Sequence, residues 1–242
     1  LIMRSNDHFR ELNIRLKKSM GLKVLTDKQR LKLLKNIHRS DILKHYANTH
    51  TINNARFIIS GDVKNIQDNL ESTLNTSLRL KKGKRFELPN EQPSGSRGVL
   101  YVPKKEVPNT YMYIDIYGSK LLSFEQQQSI RLISTMLTET LYSRIFGLAR
   151  EKGLVYGMGS GLMRTGSVSG MWFGAQVSQK NLLKLSGLIY DELSRIKNNI
   201  IDDQDLQVAK DYLLGKMTRS YQTAESLTEA YSHYFNYDQY YD

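Results

Sequence analysis

Histidine and carboxylate side chains are the first place to look for chemistry, because three or four of them converging can hold a catalytic zinc ion. The sequence offers one near approach, His8-Phe9-Arg10-Glu11-Leu12. An inverted zinc motif, His-x-x-Glu-His on a helix, puts two imidazoles on one face with the glutamate as general base. Here Leu12 stands where the second imidazole is needed, so His8 and Glu11 read as surface residues of a helix. His38 and His45 are seven apart and share a helix face only if one helix runs unbroken through Ser40, while His50 falls near a predicted helix end. Neither arrangement has a carboxylate at ligand spacing. No nucleophile motif, glycine-rich phosphate loop or dinucleotide fingerprint appears. What remains is a guanidinium and a phenol, Arg150 and Tyr156, on either side of Gly153 in Arg-Glu-Lys-Gly-Leu-Val-Tyr. Their plain reading is a basic residue at a helix C-terminus and an aromatic in the core.

The elements that must position this pair are readable on both sides. Ser123 is a good N-cap with Gln126 at the third position of a capping box, and Ile130, Ile133, Leu137, Leu141 and Ile145 follow on one face. This spacing predicts a long, buried, rigid helix running into Arg150, with Gly153 as its stop. Leu154 to Gly159 alternates as a strand, with Tyr156 on the side of Leu154 and Met158, and Gly157 and Gly159 beside the tyrosine imply close approach of something to the backbone.

A chain of 242 residues, 40% hydrophobic and 24% charged, reads as globular, with room for one large or two modest domains. No apolar run approaches bilayer length, and the basic start Leu1-Ile2-Met3-Arg4 is not followed by a signal-peptide core. The lack of cysteine excludes disulfides and thiolate metal sites but does not choose a compartment; the expectation adopted is cytoplasmic. The net charge of +11 is concentrated at the start, where residues 1–50 hold twelve Lys and Arg against four Asp and Glu, a net of +8. Such a segment suggests an anionic partner. However, Leu12, Leu16, Leu31, Leu34, Ile37, Ile42 and Leu43 thread through it at helical spacings, so a solvated helix face explains the charge, and nucleic-acid binding rests on charge alone.

Taken in order, residues 6–48 predict two or three helices, with Gly21 breaking the first and Ser40 capping the last. Arg56–Ser60 predicts a short strand closed by a turn at Gly61, and a helix follows from Val63 to about Leu78. Residues 83–97 lie in a polar, Gly- and Pro-containing stretch without periodicity and read as a linker. Beyond it come strands at Val99–Val102, Tyr111–Tyr117 and Met171–Val177. In the second of these Met112, Ile114 and Ile116 form a core face opposite Tyr113, Asp115 and Tyr117; in the third Phe173, Ala175 and Val177 share a face. Helices follow at about 180–197 (stripe Leu182, Leu185, Ile189, Leu193, Ile196), 203–219 and from about Glu225, placed to cover one face of a sheet. The fold class is α+β.

Ser143-Arg144-x-Phe146 with Arg150-Glu151-Lys152-Gly153-Leu154-x-Tyr156-Gly157 resembles the second half of the pitrilysin/insulinase-type zinc metallopeptidases, the inverzincins, which include the mitochondrial processing peptidases. Two further stretches carry the likeness: Asp41, Tyr46, Asn54 and Gly61 match the close of the family's first half, and Asp205-Leu206-x-x-Ala209-Lys210-x-x-Leu213-Leu214-Gly215 with Glu225-Ser226 matches its later helices. The arginine-to-tyrosine spacing is one residue shorter than is usual there.

The resemblance implies halves built of a sheet covered by helices, and a chain truncated at both ends: residues 1–82 as the closing part of a first half, 83–97 as connector, and 98–242 as a second, inactive C-terminal domain. It also implies that Arg150 and Tyr156 reach across a cavity towards the zinc half and support substrate binding and the transition state. No catalytic or metal residue is expected in this chain; zinc would sit in a missing N-terminal half or a partner subunit, in a homo- or heterodimer. The expected function is the non-zinc, substrate-contacting part of a zinc-dependent endopeptidase or processing peptidase, inactive as an isolated chain and acting on peptide or unfolded polypeptide. The alternatives are a non-catalytic partner or scaffold subunit of the same fold, and a basic nucleic-acid-binding module.

Overall fold

The computed structural model describes residues 7–87, 91–94, 98–105 and 107–236. The basic start at Leu1–Arg4 and parts of the linker, residues 88–90 and 95–97, lie outside the described residues. The chain divides into two compact units, one of Leu1–Leu31 with Pro89–Leu214, the other of Lys32–Leu88 with Gly215–Asp242. One cut therefore falls inside the 83–97 connector. The other two fall inside helices, so the first 31 residues group with the later sheet and the last stretch with the earlier helices.

The first unit is built on a three-stranded antiparallel sheet, β1 (Thr110–Tyr117), β2 (Val155–Arg164) and β3 (Ser169–Val177), in the order β1-β3-β2. Its register sets the two faces. Met112 opposes Ala175, Ile114 opposes Phe173 and Ile116 opposes Met171 on the core face, while Tyr113, Asp115 and Trp172 stand on the other, as the alternation in the sequence requires. Helix α5 (Phe124–Ser134) and the elements after it pack under the core face. So does α7 (Leu182–Lys197), which buries Leu185 and Ile189, and α8 (Asp203–Ser220) contributes Ala209. Across the opposite face lies α1 (His8–Ser19), with the Phe9 ring edge-on to Tyr111 at 5.0 Å and the Tyr113 ring stacked on Trp172 at 5.8 Å.

The second unit holds α3 (Arg39–Thr49), α4 (Gln67–Ser77) and α9 (Ala224–Asn236); α2 (Asp27–Leu34) and α8 each run from one unit into the other. Four sequence expectations are corrected by the described residues. Residues 56–60 and 99–102 form no strand: Phe57 is half exposed and Val99 fully so. A strand exists only with a neighbour, and among the described residues these two segments have none. Helix α3 is capped by His38 and not by Ser40, since the Asp41 carboxylate accepts from the His38 N–H at 2.9 Å. Helix α4 starts at Gln67, later than Val63, after a turn; Gly61, at φ +140°, occupies backbone space that other residues avoid.

Candidate functional site

The helix that delivers Arg150 is not one rod. The Ser123–Gln126 capping box starts α5 as expected, but α5 passes at Thr135 into a π-helical turn, Thr135–Glu139, and then breaks, with Thr140 in an extended conformation. The ladder resumes four residues later: the Arg144 N–H donates to the Met136 carbonyl at 3.1 Å and the Ile145 N–H to Leu137 at 3.0 Å. Residues 140–143 are thus looped out, and Arg144 and Ile145 take the places that Thr140 and Leu141 would have held. This is why Leu141 is exposed and Ile145 fully buried, the reverse of what an unbroken stripe demands for Leu141. Ser143 seals the loop, its Oγ accepting from the Thr140 N–H at 2.7 Å and donating to the Thr135 carbonyl at 3.2 Å.

Helix α6 (Phe146–Glu151) follows and ends at Gly153, φ +62°. The Gly153 N–H donates to the Arg150 carbonyl and the Leu154 N–H to Ala149, at 2.9 and 2.8 Å. That is a Schellman closure, in which the left-handed glycine lets two orphan carbonyls be satisfied and buried Leu154 meet buried Ala149. The chain then enters β2 through a β-bulge: Val155 pairs with Val177 and Met158 with Ala175, leaving Tyr156 and Gly157 opposite the single residue Gln176. The bulge turns Tyr156 away from the buried Leu154, where plain alternation had placed it, and leaves it 86% exposed. Of the two neighbouring glycines, Gly157 faces open space, and Gly159 and the further Gly161 lie under the Trp172 indole.

Arg150 and Tyr156 therefore meet. The Arg150 Nη1 donates to the Tyr156 carbonyl at 2.9 Å, and its guanidinium carbon lies 5.5 Å from the centre of the Tyr156 ring. At an exposed site such a cation–π contact contributes about 0.5–1 kcal/mol. One N–H is spent on the bulge, and the guanidinium keeps its remaining donors beside a displayed phenol. The arrangement can hold a carbonyl or carboxylate and donate to an adjacent anion.

Sequence reasoning missed an ion-pair anchor in the same junction. Arg144, with a side chain 12% exposed, donates from Nε to Glu192 of α7 at 2.7 Å and from Nη1 to Asp205 of α8 at 3.0 Å; Arg195 approaches Glu192 at 3.6 Å. Its acidic partners are 48 and 61 residues away, so no local signal marks them. A largely buried pair of this kind is costly to break, about 3–5 kcal/mol when one charge is left behind.

Among the described residues, the histidines and their neighbours are paired as follows. His8 Nδ1 lies 3.3 Å from the Lys104 ammonium, and Glu11 pairs with Lys104 at 3.1 Å and Arg15 at 2.9 Å. The Lys104 hydrogen bond, then that of Arg15, holds the Glu11 carboxyl below its usual range against partial desolvation. His50 stacks on Tyr46 at 4.1 Å. Among the described residues, no group of three His, Cys, Asp or Glu is placed to hold a metal ion. On the α1-covered sheet face, burial pushes the Asp115 carboxyl up, although the Tyr117 hydroxyl donates to it at 3.1 Å and Lys17 opposes the shift. Burial, then the Asp115 charge, pushes the Tyr113 hydroxyl up to about 12. No helix among the described residues is long and apolar enough to cross a membrane.

The fold is that of solved peptidase-like chains. A protease from Helicobacter pylori superposes with a TM-score of 0.67 at 18% identity, over 85% of this chain and 50% of that one. A chain of Complex III2 from Candida albicans gives 0.64 at 14% over 83% and 49%, and the peptidase M16 inactive domain from Pseudomonas fluorescens gives 0.63 at 18% over 80% and 46%. The chain thus spans about half the length of these structures. No curated protein matches it. The family profile described as "Peptidase M16 inactive domain" matches residues 36–213, through the α6–β2 junction and into α8: the chain belongs to the peptidase M16 inactive-domain family, the half of zinc-protease-like proteins that does not carry the zinc.

Proposed function

We infer that this chain is the substrate-contacting part of a zinc-dependent peptidase whose metal and general base are supplied by a zinc-bearing half or partner subunit. The observation that carries the reading is the Arg150–Tyr156 pair, displayed at the surface by the Schellman closure and the bulge. In hydrolysis of a peptide bond the attacked carbonyl becomes an oxyanion, and a phenol aimed at it stabilises the transition state more than the ground state. Arg150 holds a substrate carbonyl or carboxylate by charge-assisted bonds. The substrate class is peptide or unfolded polypeptide. The likeness to a protease from Helicobacter pylori and to a chain of Complex III2 from Candida albicans supports both the chemistry and the need for a partner. The connector at 83–97 is the boundary between the two homologous halves in this reading.

In an assembly with the zinc-bearing half, Tyr156→Phe is expected to lower kcat by about ten-fold to a thousand-fold with the fold intact, and Arg150→Ala to weaken substrate binding as well. Full activity of a folded Tyr156→Phe assembly overturns the role.

A further inference from the structure

We propose that Arg144 is the positioning residue of this junction: its ion pairs to Glu192 and Asp205 fix α6 against α7 and α8 and thereby set where Arg150 and Tyr156 are presented. The proposal rests on the functional reading above for its consequence, but not for its geometry. Three features converge on this side chain. Its backbone restarts the helical ladder after the 140–143 loop-out, so α6 is joined to the preceding helix only across a break, through the Arg144 and Ile145 N–H bonds to the Met136 and Leu137 carbonyls. Its guanidinium reaches two different helices, through Nε to one and Nη1 to the other, and is nearly shielded from water. Few residues separate it from the displayed pair, and three bonds tie that stretch together: Ala149 N–H to the Ile145 carbonyl, Leu154 N–H to Ala149, and Arg150 Nη1 to the Tyr156 carbonyl.

Apolar packing alone would leave such a short helix free to rotate or slide, because dispersion and burial are non-directional. A planar guanidinium forked between two fixed carboxylates is directional. A helix of six residues has few internal bonds of its own, and the guanidinium adds directional ties to two further helices.

The test has two arms. In the 242-residue chain, amide hydrogen exchange is followed in Arg144→Met and in the neutralised set Arg144→Met/Glu192→Gln/Asp205→Asn, which leaves no unpaired acid behind. Exchange across Phe146–Met158 is expected to rise at least ten-fold in both, with Leu185–Ile189 of α7 unchanged, and Arg144→Lys is expected to restore part of the protection. Unchanged exchange at Phe146–Met158, or equal acceleration everywhere, overturns the proposal, the latter because it marks a purely structural role.

In the assembly with the zinc-bearing half, Arg144→Met should lower kcat/KM about ten-fold and be non-additive with Tyr156→Phe. Local loosening with a Tyr156→Phe assembly that is fully active supports the tether and overturns the peptidase role instead.

Discussion

A carboxyl raised by burial works against the fold at neutral pH, and Asp115 is such a group. Its Oδ1 is buried without a hydrogen-bond partner among the described residues, and its other oxygen accepts only from Tyr117 in the bonds seen. Because the folded-state value lies above the unfolded one, the native chain holds this proton more tightly. Stability is therefore greatest below the unfolded value, falls as pH rises through the window up to the folded value, and is flat beyond it. Asp115→Asn should remove that fall and raise Tm at pH 7 by roughly 1–3 °C, with no gain below the window; a lower Tm at pH 7 would show that the Lys17 attraction outweighs desolvation. The sequence did not mark this residue as special, and it showed Arg144 only as part of a motif, without its ion pairs. Asp115 was assigned correctly to the polar face of β1, but its burial depends on α1 lying across that face, a contact between residues about a hundred positions apart.

At the scale of elements, what the sequence shows is what local chemistry decides. The Ser123 cap, the Gly153 stop, the stripe of α7 and the two faces of β1 and β3 follow from residues within a turn or a pleat of each other. The loop-out at 140–143 was hidden because Leu141 and Ile145 both fit a helical stripe, and only one of them is needed once four residues leave the ladder. The strands expected at 56–60 and 99–102 have the right composition, yet strand formation is a property of pairs. Glycines divide in the same way. A Cβ at Gly170 would run into the Ile116 carbonyl of the neighbouring strand, whereas one at Gly157 meets nothing. Gly170→Ala is accordingly expected to cost about 1–3 kcal/mol, by forcing β1 and β3 apart, and Gly157→Ala much less; chemical denaturation of the two variants compares them directly.

For the whole molecule, zinc content and protease sensitivity are the informative measurements. The chelator-washed chain is expected to hold no stoichiometric zinc and to cleave no peptide, and one tightly retained zinc per chain would contradict the family role. Limited proteolysis should nick first between Lys81 and Gly98, where Lys82, Lys84 and Arg85 sit exposed in irregular backbone; a first cut within 123–160 would show that the connector is protected. The strand order has a different kind of consequence. The middle strand, β3, is the last of the three to be synthesised, and among the described residues β1 borders β3 alone. On a ribosome adding about 5–20 residues per second, β1 therefore waits on the order of 3–12 s for its neighbour. Throughout that interval its apolar face and its backbone donors are open to other nascent chains, which makes a translational stall before Ser169 an aggregation hazard that the finished fold conceals.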